Sequence, residues 1–178
     1  MKTAAYILFF ILFFSNGKAQ QSRVTKVKEE ISLNFNNTQI SAYQNSSISK
    51  FEQFIDYFNL LQESQDSELK NQLKENIYSL FESQEIEIAD FLSANEKIKL
   101  TQFLDKYQNS NKIIKIISPK SDVSVFENSW INRYQIEINS VKAVSLRQIV
   151  SFQIQKKKFG KNSKEVWEIK LGNISVQP

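Results

Sequence analysis

The chain predicts an α+β domain: three N-terminal helices packed on a strongly bent antiparallel β-sheet. Apolar residues recur every three to four positions from Phe51 to Tyr107, and every second position from Trp130 to Leu171, so the hydrophobic period changes from helical to extended near Asn111. Two Ser-x-x-Glu runs, Ser49–Glu52 and Ser93–Glu96, match the capping box that opens helices. Phe159-Gly160-Lys161-Asn162-Ser163 separates two alternating runs, which is a hairpin signal.

The N-terminus carries an address. Lys2 precedes Ala4–Phe14 (AAYILFFILFF), an unbroken apolar run, and Gly17-Lys18-Ala19 supplies small residues at −3 and −1. The pattern predicts a signal peptide over 1–19, cut between Ala19 and Gln20, and an exported protein, periplasmic or secreted. The run is shorter than the roughly 20 residues that cross a bilayer core, so no membrane span is expected. With no Cys, no cysteine lipid anchor is expected either.

Residues 20–46 are polar and rich in Asn, Gln, Ser and Thr, and read as an arm with at most a short helix at Val24–Ile31. Residues 47–178 form the single domain. Its first helix opens at Ser49 and aligns Phe51, Phe54, Ile55, Phe58 and Leu61. The second opens at Ser64–Ser67 and aligns Leu69, Leu73, Ile77, Leu80 and Phe81. The third, from Ser93, buries Leu100, Phe103, Leu104 and Tyr107. A short strand at Ile86–Phe91 precedes it.

The strands follow. Ile113–Ile117 stops at Pro119, with Val123–Phe126 as an extension beyond the break. Trp130, Asn132, Tyr134, Ile136 and Ile138 share one strand face, with Arg133 on the other. Leu146, Val150, Phe152 and Ile154 share the next face, opposite Arg147, and the pattern breaks at Gln148-Ile149 as at a bulge. Trp167, Ile169 and Leu171 complete the meander.

Composition narrows the chemistry. Of 23 basic residues, Lys2 and Lys18 leave with the signal, so 21 face 19 acids and the mature charge is too small to argue for nucleic acid. The absence of His and Cys removes Ser-His-Asp and Cys-His nucleophiles, imidazole acid–base chemistry and His- or Cys-ligated zinc. No cofactor motif, metal-ligand spacing or catalytic motif is expected.

The element order, with Leu80-Phe81 leading into Glu85–Phe91 (EIEIADF) and a closing pair Val144–Lys156 and Val166–Leu171 (VWEIKL), resembles the nuclear-transport-factor-2-like superfamily over Ser47–Val176. The resemblance implies a cone in which a curved sheet wraps around helices and leaves a pocket at its wide end. It implies little about function, because that scaffold hosts isomerases, dehydratases, ligand binders and dimerisation modules. The Asp–His pair of its enzymes is impossible here; a Tyr/Asp pair survives only as Asp90 with Tyr134. The resemblance also allows a homodimer through the outer sheet face.

Four residues are pocket candidates: Asp90, Trp130, Asn132 and Tyr134. Asp90 ends a short apolar strand, where it serves as a pocket carboxylate or as an ordinary loop Asp bonded to nearby backbone. Trp130 and Tyr134 line either a pocket or the core. Asn132 on the same face needs partners for both ends of its amide, marking a polar pocket or a bulge. Arg133, Arg147 and the lysines of the hairpin (Lys156, Lys157, Lys158, Lys161, Lys164) are surface cations, the lysines serving solubility and edge protection or an anionic surface. The expected function is an exported, non-enzymatic module of the cell envelope that binds a small apolar ligand or a protein partner. The alternative is an isomerase or hydro-lyase using Asp90 and Tyr134.

Overall fold

The computed structural model describes residues 31–93 and 96–177, without the side chains of 123 and 124. The signal peptide, residues 20–30 of the arm and the centre of the Ser93–Glu96 box lie outside the described residues. Within them the order is α1 (Ile31–Asn34), α2 (Asn37–Glu63), α3 (Ser67–Leu80), β1 (Glu87–Ala89), β2 (Lys97–Lys99), α4 (Leu100–Tyr107), β3 (Ile114–Phe126), β4 (Ser129–Ile138), β5 (Lys142–Phe159) and β6 (Asn162–Val176). The α+β class is as expected, but the described residues hold four helices rather than three.

Helix α2 departs furthest from expectation. It starts at Asn37 rather than Ser49, so residues 37–46 are helix and not arm. Asn36 caps it: its Oδ1 accepts from the Gln39 amide at 2.9 Å, while Gln39 Oε1 accepts from the Asn36 amide at 3.0 Å. The stripe extends back at helical spacing through buried Ser47 to the partly buried Tyr43 and Ile40, and the polar Ser47 disguises its continuity. Asp66 caps α3, its Oδ1 accepting from the Glu68 and Leu69 amides at 2.8 and 3.3 Å. Helix α4 starts at Leu100, after β2, where Gln102 Oε1 accepts the Lys99 amide at 3.2 Å. The Ser93 box therefore precedes a strand, not this helix.

The strands form an open sheet in the order β2-β1-β6-β5-β4-β3. It is mixed rather than antiparallel, because β1 runs parallel to β6 at Ile88↔Ile174, beside a one-residue parallel bridge Phe81↔Leu171. Alternation along a strand says which face is buried and nothing about a neighbour's direction, so this was illegible in the sequence. Strand β3 runs straight through Pro119. It lies at the sheet edge, where the missing N–H costs no ladder bond, and its register slips on both sides of the proline, between Ile116 and Ser118 and between Ser121 and Val125. The expected bulge appears where β5 meets β6, between Gln148 and Val150.

Among the strands, helix α2 packs chiefly along β3 and β6 although β4 and β5 lie between them, so the sheet curves around the helix. Its stripe fills that concavity in two clusters. Phe51, Phe54, Phe58 and Leu61 pack with Phe103, Tyr134, Ile136, Leu146 and Leu171. Ile31, Trp130, Val150, Phe152 and Ile169 form the second, joined by Phe35, Tyr43 and Trp167. The helix also closes the outer edge of β3. The Asn59 amide pairs with Ile114 as a strand residue would, donating to its carbonyl at 2.9 Å and accepting its N–H at 3.0 Å. Gln62 does the same for Lys112, at 2.9 and 2.7 Å, and Gln44 donates to Asp122 O at 2.9 Å.

Gly172 is required by the bulge. A Cβ there would stand 2.8 Å from Ile149 O. Gly172→Ala should cost about 2 kcal/mol of stability by overpacking. Gly160→Ala, at φ +63° with nothing within 4 Å, should cost only the roughly 1 kcal/mol of a left-handed alanine. Urea denaturation of both variants checks this; equal losses would mean that the bulge yields to the added methyl.

Candidate functional site

Between the two apolar clusters runs a seam of buried polar side chains. Strand alternation turns Trp130, Asn132 and Tyr134 inward on β4, and the register sets Val150, Gln148 and Leu146 of β5 opposite them. Helix α2 contributes Ser47 from above. Ser47 Oγ receives Trp130 Nε1 at 3.1 Å and Asn132 Nδ2 at 2.8 Å, and donates to Gln44 O at 2.6 Å. Asn132 Nδ2 also donates to Tyr134 OH at 2.9 Å, and its Oδ1 accepts from Ser121 Oγ at 2.5 Å. Tyr134 OH then donates to Gln148 Oε1 at 3.1 Å. Ser47, Asn132 and Gln148 are completely buried.

Both amide donors of Asn132 have partners and its carbonyl oxygen accepts one hydrogen bond. Gln148 ends the chain of bonds with its Nε2 unpartnered, the one such buried side-chain atom among the described residues. Burial drives the Tyr134 phenol well above the ordinary tyrosine range, with the Asn132 hydrogen bond acting in the opposite sense. Its ring stacks on Phe51, centroids 3.8 Å apart and planes 15° from parallel. The seam thus consists of amides, hydroxyls and an indole, all neutral at neutral pH.

Asp90 lies elsewhere. Its carboxylate accepts from Tyr107 OH at 2.7 Å and Lys106 Nζ at 2.6 Å, and its backbone N–H donates to Glu96 O at 2.7 Å. It ties α4 to the β1–β2 hairpin. Burial, then Asp90, pushes the Tyr107 phenol up, while the hydrogen bond to Asp90 raises the Lys106 ammonium. The structure brings Trp130, Asn132 and Tyr134 together, and gives Asp90 and Tyr134 separate hydrogen-bond partners. Sequence reasoning missed Ser47, Ser121 and Gln148. Ser47 was legible as a polar residue within an apolar helical stripe, and Gln148 as a polar residue at an inward strand position.

The surface clefts include two formed by described residues. One, of about 320 Å³, lies between α2 and β3 and is lined by Glu52, Ile55, Asp56 and residues 114–116. The other, of about 290 Å³, is lined by Asn128, Phe152, Gln153, Ile154 and Trp167. Neither is lined by Asn132, Tyr134 or Gln148. On the solvent face of the sheet Lys120, Arg133 and Arg147 stand in cross-strand register; Arg133 pairs with Asp122, and Arg147 has no ion-pair partner among the described residues. No cluster of three His, Cys, Asp or Glu residues suits a metal, and no helix is long and apolar enough to cross a membrane, among the described residues. No family model matches the chain, and no curated protein resembles it in sequence.

Asn132→Ala strands Ser121, Tyr134 and Ser47 without a shared partner and should cost about 3 kcal/mol or more. Gln148→Met removes one acceptor but also the orphaned donor, and should stay within about 1 kcal/mol of the parent. Urea titration of the two variants ranks them, and the reverse order would contradict the bonding pattern. Because the folded phenol of Tyr134 titrates above the unfolded one, its contribution is complete below about pH 10. It is lost as pH rises beyond that. Tyr134→Phe should therefore flatten the alkaline fall in stability.

Proposed function

We propose that the chain is an exported, non-enzymatic interaction module of the cell envelope, built on a nuclear-transport-factor-2-like scaffold. The scaffold reading is supported by helices that precede a meander of long strands, with the sheet curving around α2. One observation carries the functional reading: the strand face expected to line a pocket is buried beneath the chain's own side chains. Trp130 and Tyr134 are each about 1% exposed and Asn132 not at all, and the Asn132 amide spends its hydrogen bonds internally. A ligand pocket instead presents a few polar groups to an open cavity. The isomerase or hydro-lyase alternative needs Asp90 to reach Tyr134 or the cavity, and its carboxylate is bonded to Lys106 and Tyr107.

The module's contact face, in this reading, is the solvent side of the sheet. Arginine is favoured at protein interfaces, and Arg147, with no ion-pair partner among the described residues, lies beside Arg133. Like charges directly opposite one another repel, which counts against a homodimer formed by self-pairing of this row and for an acidic partner. A second reading, small-ligand binding, is favoured by one atom: Gln148 Nε2, a buried donor without an acceptor.

Native mass spectrometry of residues 20–178 recovered from the periplasm of an expression host tests this reading. The expected spectrum shows bare polypeptide mass, and an immobilised chain retains an acidic envelope protein that Arg147→Glu releases. An added small-molecule mass that vanishes on denaturation would overturn the filled interior and install the ligand binder. Recovery of uncut chain from the cytoplasm would overturn export.

A further inference from the structure

The β5–β6 hairpin outruns the sheet that it belongs to. Strand β4 pairs with β5 only as far as Ser129↔Ser151, while β1 and Phe81 touch β6 only at Ile174 and Leu171. Phe152 N still donates to Asn128 O at 2.8 Å; from Gln153↔Glu168 outward β5 and β6 pair with each other alone, through Phe159↔Asn162, and turn at Gly160 with φ +63°. Residues 156–165 are exposed on this two-stranded arm. A free ribbon of this kind is marginal in water by itself.

Its charges make it less self-sufficient still. Lys156, Lys157, Lys158, Lys161 and Lys164 face a single acid, Glu165, over those positions, and Lys157 sits directly across from Lys164. Like charges in that position oppose pairing. Lys157 reaches Glu168 at 3.4 Å; the other four lysines have no ion-pair partner among the described residues. At the tip Phe159 is 54% exposed. Edge protection explains lysines along a strand. It does not explain an aromatic ring carried to the far end of the arm among them.

We propose that the arm docks on an anionic phospholipid surface, with Phe159 entering the interface and the lysines resting on headgroup phosphates. The residue types favour lipid over the other polyanions. All five cations are lysines, which are depleted at protein interfaces, whereas arginine is the residue for bidentate recognition of carboxylates and nucleic-acid phosphates. A single aromatic at a tip is no stacking platform for successive bases. Lysines ringing an apolar tip are suited to a bilayer surface: their stems lie along apolar groups, their ammonium groups stay in water, and each gains from the negative surface potential. The inference stands on the arm alone and does not depend on the closed interior.

Co-sedimentation of the purified chain with vesicles of phosphatidylcholine alone, and with vesicles containing phosphatidylglycerol, tests it. Binding should require phosphatidylglycerol and weaken as salt rises. Replacing all five lysines by Gln should weaken it by about 100-fold or more, with circular dichroism and the melting midpoint unchanged. Phe159→Ser should weaken it about tenfold while keeping the salt dependence. Equal binding to both vesicle types, equal binding by the five-lysine variant, or no binding to phosphatidylglycerol would overturn the proposal. So would tighter binding to soluble polyaspartate or an oligonucleotide than to vesicles, which would make the arm a general polyanion site.

Discussion

The amide of Asn132 is the group around which the rest of this structure is arranged. A buried amide left unpaired would cost as much as a large part of the stability of a domain this size. Satisfying it demands Ser47 from α2, Ser121 from β3 and Tyr134 from β4 at once. Those three groups sit on three separate elements, so the seam fixes the rotation of α2 about its axis and its position along the sheet. Apolar packing is tolerant of such shifts; hydrogen bonds within about 3 Å are not. The two apolar clusters on either side then pack against a helix whose register is already set.

The same helix performs a second structural task. Strand β3 is the sheet's edge, and edges invite pairing with other chains. Pro119 blunts its middle, while Asn59, Gln62 and Gln44 of α2 bond to its ends as a neighbouring strand would. A long amphipathic helix thus fills the sheet's concavity and closes one border of it. At the opposite side of the meander the β5–β6 arm carries its free edges among lysines. The two borders are managed by different means, amide pairing on one and charge on the other.

Much of this was legible in the chain. Phe51, Phe54, Phe58 and Leu61 mark the helix face, and Trp130 to Ile138 the inward face of β4, because burial imposes its period directly. The Gly160-Lys161 turn followed from glycine's access to positive φ. Three features escaped. The first part of α2 has few apolar residues, and Ser47 interrupts the stripe with a hydroxyl whose two donors lie more than eighty residues away. The parallel entry of β1 beside β6 is a matter of chain direction, to which alternation is blind. The partners of Asp90 were hidden for a related reason: Tyr107 was read as a core aromatic, and its ring is one, but its hydroxyl points at the carboxylate. Of the site candidates, Trp130, Asn132 and Tyr134 could be grouped because they share one strand face, whereas what joins them comes from other elements.

The proposal that the surface carries function rests on the seam being a cohesive structural unit. A double-mutant cycle between Ser47→Ala and Asn132→Ala, read by urea denaturation, measures that cohesion directly. If Ser47 and Asn132 hold α2 to the sheet through one shared network, the coupling energy should exceed about 1 kcal/mol. Additive losses would mean that the helix is placed by apolar packing alone, and the seam would lose its standing as the constraint on which the fold depends.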